Sequence, residues 1–160
     1  MASLKEKIKG LYTKMVTENA PAEYIAKGWA IGIFWGCFCP FGLQLLFSIP
    51  TSFILHGSKI GATLGTLITN HFTIFLIYPV QCYFGSRILG NTISYAETKA
   101  ALTDVIREQS YEALINMGTD LAAAFMTGGL IFALIMTPIT YFGVKKIVLK
   151  YRKGKNPSTI

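Results

Sequence analysis

A long apolar stretch between Lys27 and Leu55 places the strongest constraint on the fold, because two breaks divide it. Cys39-Pro40-Phe41-Gly42 interrupts the stretch in the middle, and Pro50 interrupts it again. A helix that crosses a bilayer needs about 20 apolar residues, and the arms beside the first break are shorter. In lipid, a broken helix is tolerated only where protein or a water-filled cavity covers the freed backbone groups. The stretch therefore predicts a membrane-embedded helical hairpin, which either spans the bilayer twice or is re-entrant.

Glycines recur every four residues in the first arm and again after the hairpin. Small residues at this spacing make a smooth helix face on which another helix can lie close. After each set comes a break, and a proline follows nine or ten residues later. Two interpretations stay open, an internal structural repeat and a chance similarity. The predicted packing and break residues are Gly28, Gly32, Gly36, Pro40, Gly42, Gly61, Gly65 and Pro79.

The charges of the chain lie mainly at its two ends. Charged residues make up 14% of the sequence, whereas soluble domains have about 25%. Five lysines lie in residues 5–27, and five lysines with Arg152 lie in residues 145–155, while residues 97–120 are rich in acids. Basic ends beside apolar spans follow the positive-inside rule and favour anionic lipid surfaces. We expect both termini to be cytoplasmic and residues 91–120 to lie on the far side. Because no aromatic-interleaved basic groove accompanies the net charge of +7, we expect no nucleic-acid partner.

The whole chain reads as an all-α integral membrane protein. Its short Gly/Pro-broken hairpins, which either span the bilayer or are re-entrant, are followed by one full C-terminal transmembrane helix. The N-terminal helix is amphipathic, and it is either an anchor on the lipid surface or a solvated cap on the fold. The predicted units are an N-terminal helix at 1–20, a membrane domain at 21–147 and a basic tail at 148–160; within the membrane domain we expect the hairpin at 22–57, a second broken segment at 60–90, a polar helix at 92–117 and a transmembrane helix at 120–146.

The sequence offers little for catalysis or for metal binding. An enzyme needs a nucleophile or a matched acid–base pair, and the apolar spans contain no Asp or Glu. His56 and His71 are the only histidines. The three cysteines, Cys37, Cys39 and Cys82, lie in apolar runs, where thiols behave as small hydrophobes. We therefore expect a protein that is not an enzyme, with no cofactor and no metal site.

The neutral polar residues beside the two breaks form the predicted binding site. Burying an unpaired amide or imidazole in hydrocarbon costs about 2 kcal/mol or more, so these groups should face one another or water. We expect the breaks to meet near the middle of the membrane, because paired interrupted segments often mark a transport site. The predicted site residues are Gln44, Thr69, Asn70, His71 and Thr73.

Three cations near the ends of the spans are candidates for contacts with lipid phosphate. They are Lys27, Lys59 and Arg87. The alternative is that these side chains only extend to the membrane interface. Glu23 lies four residues before Lys27, a spacing that predicts an ion pair within one helix.

Two classes of function remain open at this point. The first is a transporter, channel or lipid-flipping protein with a polar site at the broken helix tips. Without a carboxylate in the spans, passive movement is favoured over a pump. The second is a non-catalytic membrane scaffold that binds itself or an envelope enzyme through its glycine faces.

Two groups of motifs resemble a bacterial membrane-protein family catalogued as domain of unknown function 2062. The first is the run from Ala26 to Gly36 with Pro40-Phe41-Gly42-Leu43-Gln44, and the second is Gly65-Thr66-Leu67-Ile68-Thr69-Asn70 with Thr73 and Tyr78-Pro79. The resemblance covers roughly residues 20–145. His71 stands where the family usually shows proline, and His56-Gly57-Ser58 replaces an expected Arg-x-Asn. The resemblance implies a bacterial inner-membrane protein. Some relatives are joined to glycosyltransferase domains, which suggests an envelope glycosyltransferase as a partner. The resemblance implies no particular activity, because none is firmly assigned to the family.

Overall fold

The structure, a computed structural model of the chain, describes residues 4–40, 42–67, 69, 73–90, 96 and 119–155. Within these residues the chain is helical and has no strand, which confirms the all-α prediction. The predicted polar helix at 92–117 lies outside the described residues, apart from Ala96. The helices are α1 Leu4–Thr17, α2 Ala22–Phe38, α3 Gln44–Ile54, α4 Lys59–Thr66, α5 Ile74–Ile88 and α6 Thr119–Lys155.

The longest helix, α6, runs along the whole fold and contacts most of the others. It has 37 residues, so it is about 55 Å long. Among the described helices it is the one long and apolar enough to cross a membrane. We expected the last span to end at 146 with a separate basic tail, but the helix continues to Lys155. Arg152 explains part of this extension, because it donates hydrogen bonds to the carbonyls of Glu18 (3.0 Å) and Ala20 (2.5 Å).

The second helix, α2, packs antiparallel to α6. At its start, Glu23 forms an ion pair of 2.7 Å with Lys145, so the predicted pairing of Glu23 with Lys27 is wrong. At its end, Cys37 lies beside Gly129, where an added Cβ would be 3.0 Å from the Cys37 carbonyl oxygen. The tip of α2 therefore reaches the first third of α6 and no farther.

The glycine faces of α2 and α4 lie directly against each other, with the two helices parallel. Gly28 faces the backbone of Ser58, and Gly32 faces Ala62 and Gly65. An added Cβ on Gly65 would lie 2.8 Å from the carbonyl oxygen of Trp29. Backbone can approach backbone this closely only where no side chain intervenes. The glycines therefore hold α2 and α4 together within one chain.

The helix that connects them in the sequence, α3, runs antiparallel to both α2 and α4. The Trp35 indole stacks on Phe47 of α3 at 4.9 Å, and its N–H donates to the Thr51 hydroxyl at 3.0 Å. We expected Pro50 to break this arm, but the helix continues through it. The hydroxyls of Thr51 and Ser52 donate to the carbonyls of Phe47 and Ile49, about one turn back. Neither of them bonds the Leu46 carbonyl, which Pro50 leaves without its helical amide donor.

The fifth helix continues in the direction of α4, whereas α3 turned back after α2. Tyr78 packs on Phe125 at 4.9 Å, and the Cys82 thiol lies 3.5 Å from the Leu121 carbonyl. As residue numbers rise in α5 they fall in α6, so α5 is antiparallel to α6 and parallel to α4. Pro79 lies inside α5 and does not end it. The two segments that carry the glycine, break and proline pattern thus begin with parallel helices, α2 and α4. After the first break the chain reverses direction in α3, whereas after the second it keeps its direction in α5.

Candidate functional site: a buried polar seam

A line of buried polar side chains runs through the bundle from the start of α4 to the upper half of α5. We call it the polar seam. Most of its members are hydroxyls, which are short enough to find a backbone acceptor locally. Its members are Gln44, Ser48, Ser52, Ser58, Thr66, Thr69, Gln81 and Ser86.

At the tip of the hairpin, the seam contains a pair of buried side chains, Gln44 and Thr69. The Thr69 hydroxyl donates to Gln44 Oε1 at 2.8 Å, and Gln44 Nε2 lies 3.4 Å from the Thr66 carbonyl oxygen. Gln44 is 4% exposed and Thr69 is 1% exposed. Gly36 leaves room for the pair, since an added Cβ there would lie 3.3 Å from Thr69 Oγ1. Two of the predicted site residues are therefore in direct contact.

Below this pair, hydroxyls continue the seam toward the start of α4. Ser48, one turn along α3 from Gln44, donates to the Ala62 carbonyl at 3.2 Å. At the lower end, Ser58 donates to the Glu18 carboxylate at 2.7 Å and accepts a bond from the Gly61 amide. Its side chain thereby caps α4. Ser48 therefore joins α3 to α4, and Ser58 joins the start of α4 to Glu18, the residue after α1.

Above the pair, Gln81 crosses the core between three helices. It is completely buried, and its Nε2 donates to the Cys37 carbonyl at 2.6 Å. Gly128 and Gly129 make the space, since an added Cβ on either would overlap Gln81. Gln81 Oε1 is buried and has no hydrogen-bond partner among the described residues. An unpaired buried amide oxygen costs about 1–3 kcal/mol, so a hydrogen-bond donor such as a buried water or a polar ligand would stabilise this position.

The remaining predicted site residues are placed differently. Thr73 lies at the start of α5, where its carbonyl accepts bonds from the amides of Leu76 and Ile77. Asn70 and His71, like Phe41 in the first break, lie outside the described residues. That all five predicted polar residues share one site therefore stays a prediction.

The three candidate phosphate-binding cations do not form one cluster. Lys27 and Lys59 lie near the lower ends of α2 and α4, and the Lys59 ammonium sits 3.9 Å from the centre of the Phe53 ring. Arg87 lies in the last turn of α5, at the opposite end, and bonds the Tyr83 hydroxyl at 3.3 Å. A single phosphate can thus meet Lys27 or Arg87 but not both.

Sequence reasoning missed Gln81 as a site residue, and the signal for it was weak. It is an isolated amide in an apolar helix, with no local partner to suggest a role. The three cysteines are free and buried, as expected. The described residues contain no group of three or more His, Cys, Asp or Glu side chains that could hold a metal ion.

The third helix has its polarity reversed relative to a helix in a soluble core. Its polar residues Gln44, Ser48 and Ser52 are buried, while Leu46 is 65% exposed and Ile54 is 74% exposed. Burying polar side chains while exposing large apolar ones is the opposite of the arrangement that water favours. The outer surfaces of α5 and α6 also carry large exposed hydrophobic residues.

Over the residues that the structure describes, the fold is all-helical, and one helix is long and apolar enough to cross a membrane. Residues 5–156 match a protein family described as "Uncharacterized protein conserved in bacteria (DUF2062)". The chain belongs to this family, so the resemblance seen in the sequence is confirmed. No curated protein and no solved structure gives a significant match.

Proposed function

We propose that the chain is a bacterial inner-membrane protein that moves a polar group, such as a lipid headgroup or a small solute, along the polar seam. In this arrangement α6 crosses the bilayer once, and α4 with α5 makes a second, broken crossing. The hairpin of α2 and α3 is re-entrant and returns to the cytoplasmic side. Both termini are then cytoplasmic, and residues 91–118 lie on the far side.

The reversed polarity of α3 is the observation that carries this proposal. A surface that exposes Leu46, Phe53 and Ile54 while burying three polar side chains is stable in hydrocarbon and costly in water. The length of α2 supports a re-entrant path, because its tip stops beside Gly129, well short of Asp120. The basic residues at both ends of the chain support the orientation.

Transport is favoured over scaffolding by what the seam and the glycines contact. Gln81 Oε1 is an acceptor without a described partner, as expected of a site that a polar substrate occupies for part of a cycle. The glycine faces, on which a scaffold would depend, are used between α2 and α4 within one chain. The described part of the seam has no acidic side chain above Glu18, which favours uncoupled movement.

Liposomes that contain the purified full chain test the proposal. Headgroup-labelled phospholipid and a small neutral solute are followed across the bilayer, with empty liposomes as the baseline. We expect Gln44→Leu to reduce the flux at least fivefold, because an apolar side chain then blocks the seam beside Thr69. Thr140→Val, on α6 and outside the seam, is the control and should leave the flux unchanged.

Two results would contradict the proposal. Flux equal to that of empty liposomes for both probes would favour the scaffold, in which the chain assembles with itself or with an envelope enzyme such as a glycosyltransferase. Equal flux through Gln44→Leu and the unaltered chain would show that the seam is not the path.

A further inference from the structure

A groove separate from the polar seam lies where α2, α3 and α6 meet. It has a volume of about 430 Å³, within the range of small-molecule sites. Ala30, Ile31 and Phe34 of α2 form its floor, and its walls come from α3 and α6. The Trp35 N–H already bonds Thr51, so that wall presents mainly apolar surface. The groove is therefore suited to a hydrocarbon chain.

Two polar groups lie at defined heights in this groove. Lys27 lies at its lower end, with an exposed side chain and no direct ion pair to any described residue; the nearby Glu23 carboxylate, which feels the Lys27 charge, is paired with Lys145. Thr137 of α6 also lines it, and its hydroxyl is buried without a hydrogen-bond partner. Because α2 and α6 are antiparallel, Thr137 lies about level with Ala30, roughly 5 Å above Lys27. Phe34 and Trp35 follow about 10 Å above Lys27.

We propose that this groove binds one anionic glycerophospholipid from the cytoplasmic leaflet. The phosphate meets Lys27, and an acyl chain lies against Phe34 and Trp35. The Thr137 side chain rotates so that its hydroxyl, buried in the empty groove, donates a hydrogen bond to a glycerol ester carbonyl. The order of charge, hydrogen-bond donor and apolar surface along the groove matches the order of groups along such a lipid. This inference rests on the proposed membrane placement, but not on transport through the seam.

Quenching of tryptophan fluorescence by brominated acyl chains tests the site directly. The chain has two tryptophans, and Trp29 lies in the core away from the groove lining, so Trp29→Phe leaves Trp35 as the reporter. The variant is placed in phosphatidylcholine vesicles with a minor fraction of brominated phosphatidylglycerol or the same fraction of brominated phosphatidylcholine. We expect stronger quenching by the phosphatidylglycerol. Should Trp29→Phe fail to fold, the unaltered chain is used, with Trp35→Phe as the background.

Substitutions of Lys27 and Thr137 test whether these two residues contribute to the affinity for phosphatidylglycerol. Lys27→Gln should weaken the apparent affinity for phosphatidylglycerol about fivefold, the effect of one cation near an anionic surface. Lys27→Arg should retain it, and Lys14→Gln, which removes an exposed lysine of α1, is the charge-matched control. Thr137→Val should also weaken binding about fivefold. It should not lower thermal stability without lipid, since it removes a buried hydroxyl that has no partner.

The outcomes separate this site from the membrane placement. If neither brominated lipid quenches Trp35, the membrane placement is wrong and the site fails with it. If both lipids quench equally, or if Lys27→Gln keeps the preference, the chain lies in the membrane but the lipid site is refuted. Loss of the preference in Lys14→Gln as well would refute the role of Lys27.

Discussion

Replacing Gly32 by alanine tests the contact between α2 and α4. A Cβ on Gly32 would overlap the Ala62 carbonyl oxygen and would lie 2.8 Å from Gly65 Cα. Carbon atoms pack best at about 3.5–4.0 Å, so the two helices must separate by roughly 0.5–1 Å. Both neighbours are backbone atoms, so no side-chain rotation can relieve the overlap. The substitution must therefore disturb the packing of α2 against α4 itself.

Two opposing effects set the size of the change. Alanine favours a helix over glycine by about 1 kcal/mol, while overfilling a packed contact costs about 1–3 kcal/mol. Because the overlap is with backbone, we expect a cost at or above the upper limit. The net free energy of unfolding should fall by about 2 kcal/mol.

Two other glycines serve as matched controls for this experiment. Gly143 lies on α6 with no atom within 4 Å of an added Cβ, so Gly143→Ala should stabilise the fold by up to about 1 kcal/mol. Gly36→Ala meets Thr69 Oγ1 at 3.3 Å and Gln44 Oε1 at 3.6 Å, which can shift slightly, so its effect should be close to zero. Unfolding in mixed micelles by increasing dodecyl sulfate, followed by circular dichroism, measures all three. The argument is refuted if Gly32→Ala is as stable as Gly143→Ala.

Two further predictions concern the topology and the buried pair. A cysteine at Ser94 should react with an impermeant maleimide outside intact cells, and one at Ser158 should react only after lysis; the reverse pattern would contradict two crossings with cytoplasmic termini. In the dodecyl sulfate assay, Thr69→Val should cost about 1–3 kcal/mol, because it leaves Gln44 Oε1 unpaired. Adding Gln44→Leu should cost less than the sum of the single changes, since each has already broken the same bond. Strict additivity would mean that this hydrogen bond does not contribute to stability.

The helical segments and the breaks that follow α2 and α4 could be predicted from the sequence because their causes are local. Gly42 has a φ of 99°, which favours glycine, and it follows Pro40 at the first break. Ser58 caps α4 through its own side chain, again within a few residues. The glycine spacing likewise indicated which faces could pack closely. None of these inferences needs a distant residue.

The partners of those faces, and the direction of the chain after each break, were decided by the tertiary structure. Both glycine segments lead into a break, yet α3 turns back and α5 continues. The difference follows from contacts such as Tyr78 with Phe125, which lie far apart in sequence. Glu23 bonds Lys145 rather than its helical neighbour Lys27 for the same reason.

Gln81 illustrates the limit of sequence reasoning most clearly. Its carbonyl partner on Cys37 and the space made by Gly128 and Gly129 come from two other helices. A periodic pattern specifies which face of a helix is small, polar or apolar, because that depends only on residues a turn apart. It carries no information on which helix covers that face, because that depends on how all the helices pack at once. The sequence by itself therefore determined that the chain is helical and where the breaks after α2 and α4 lie, while the packed bundle determined that α3 continues through Pro50 and where the seam runs.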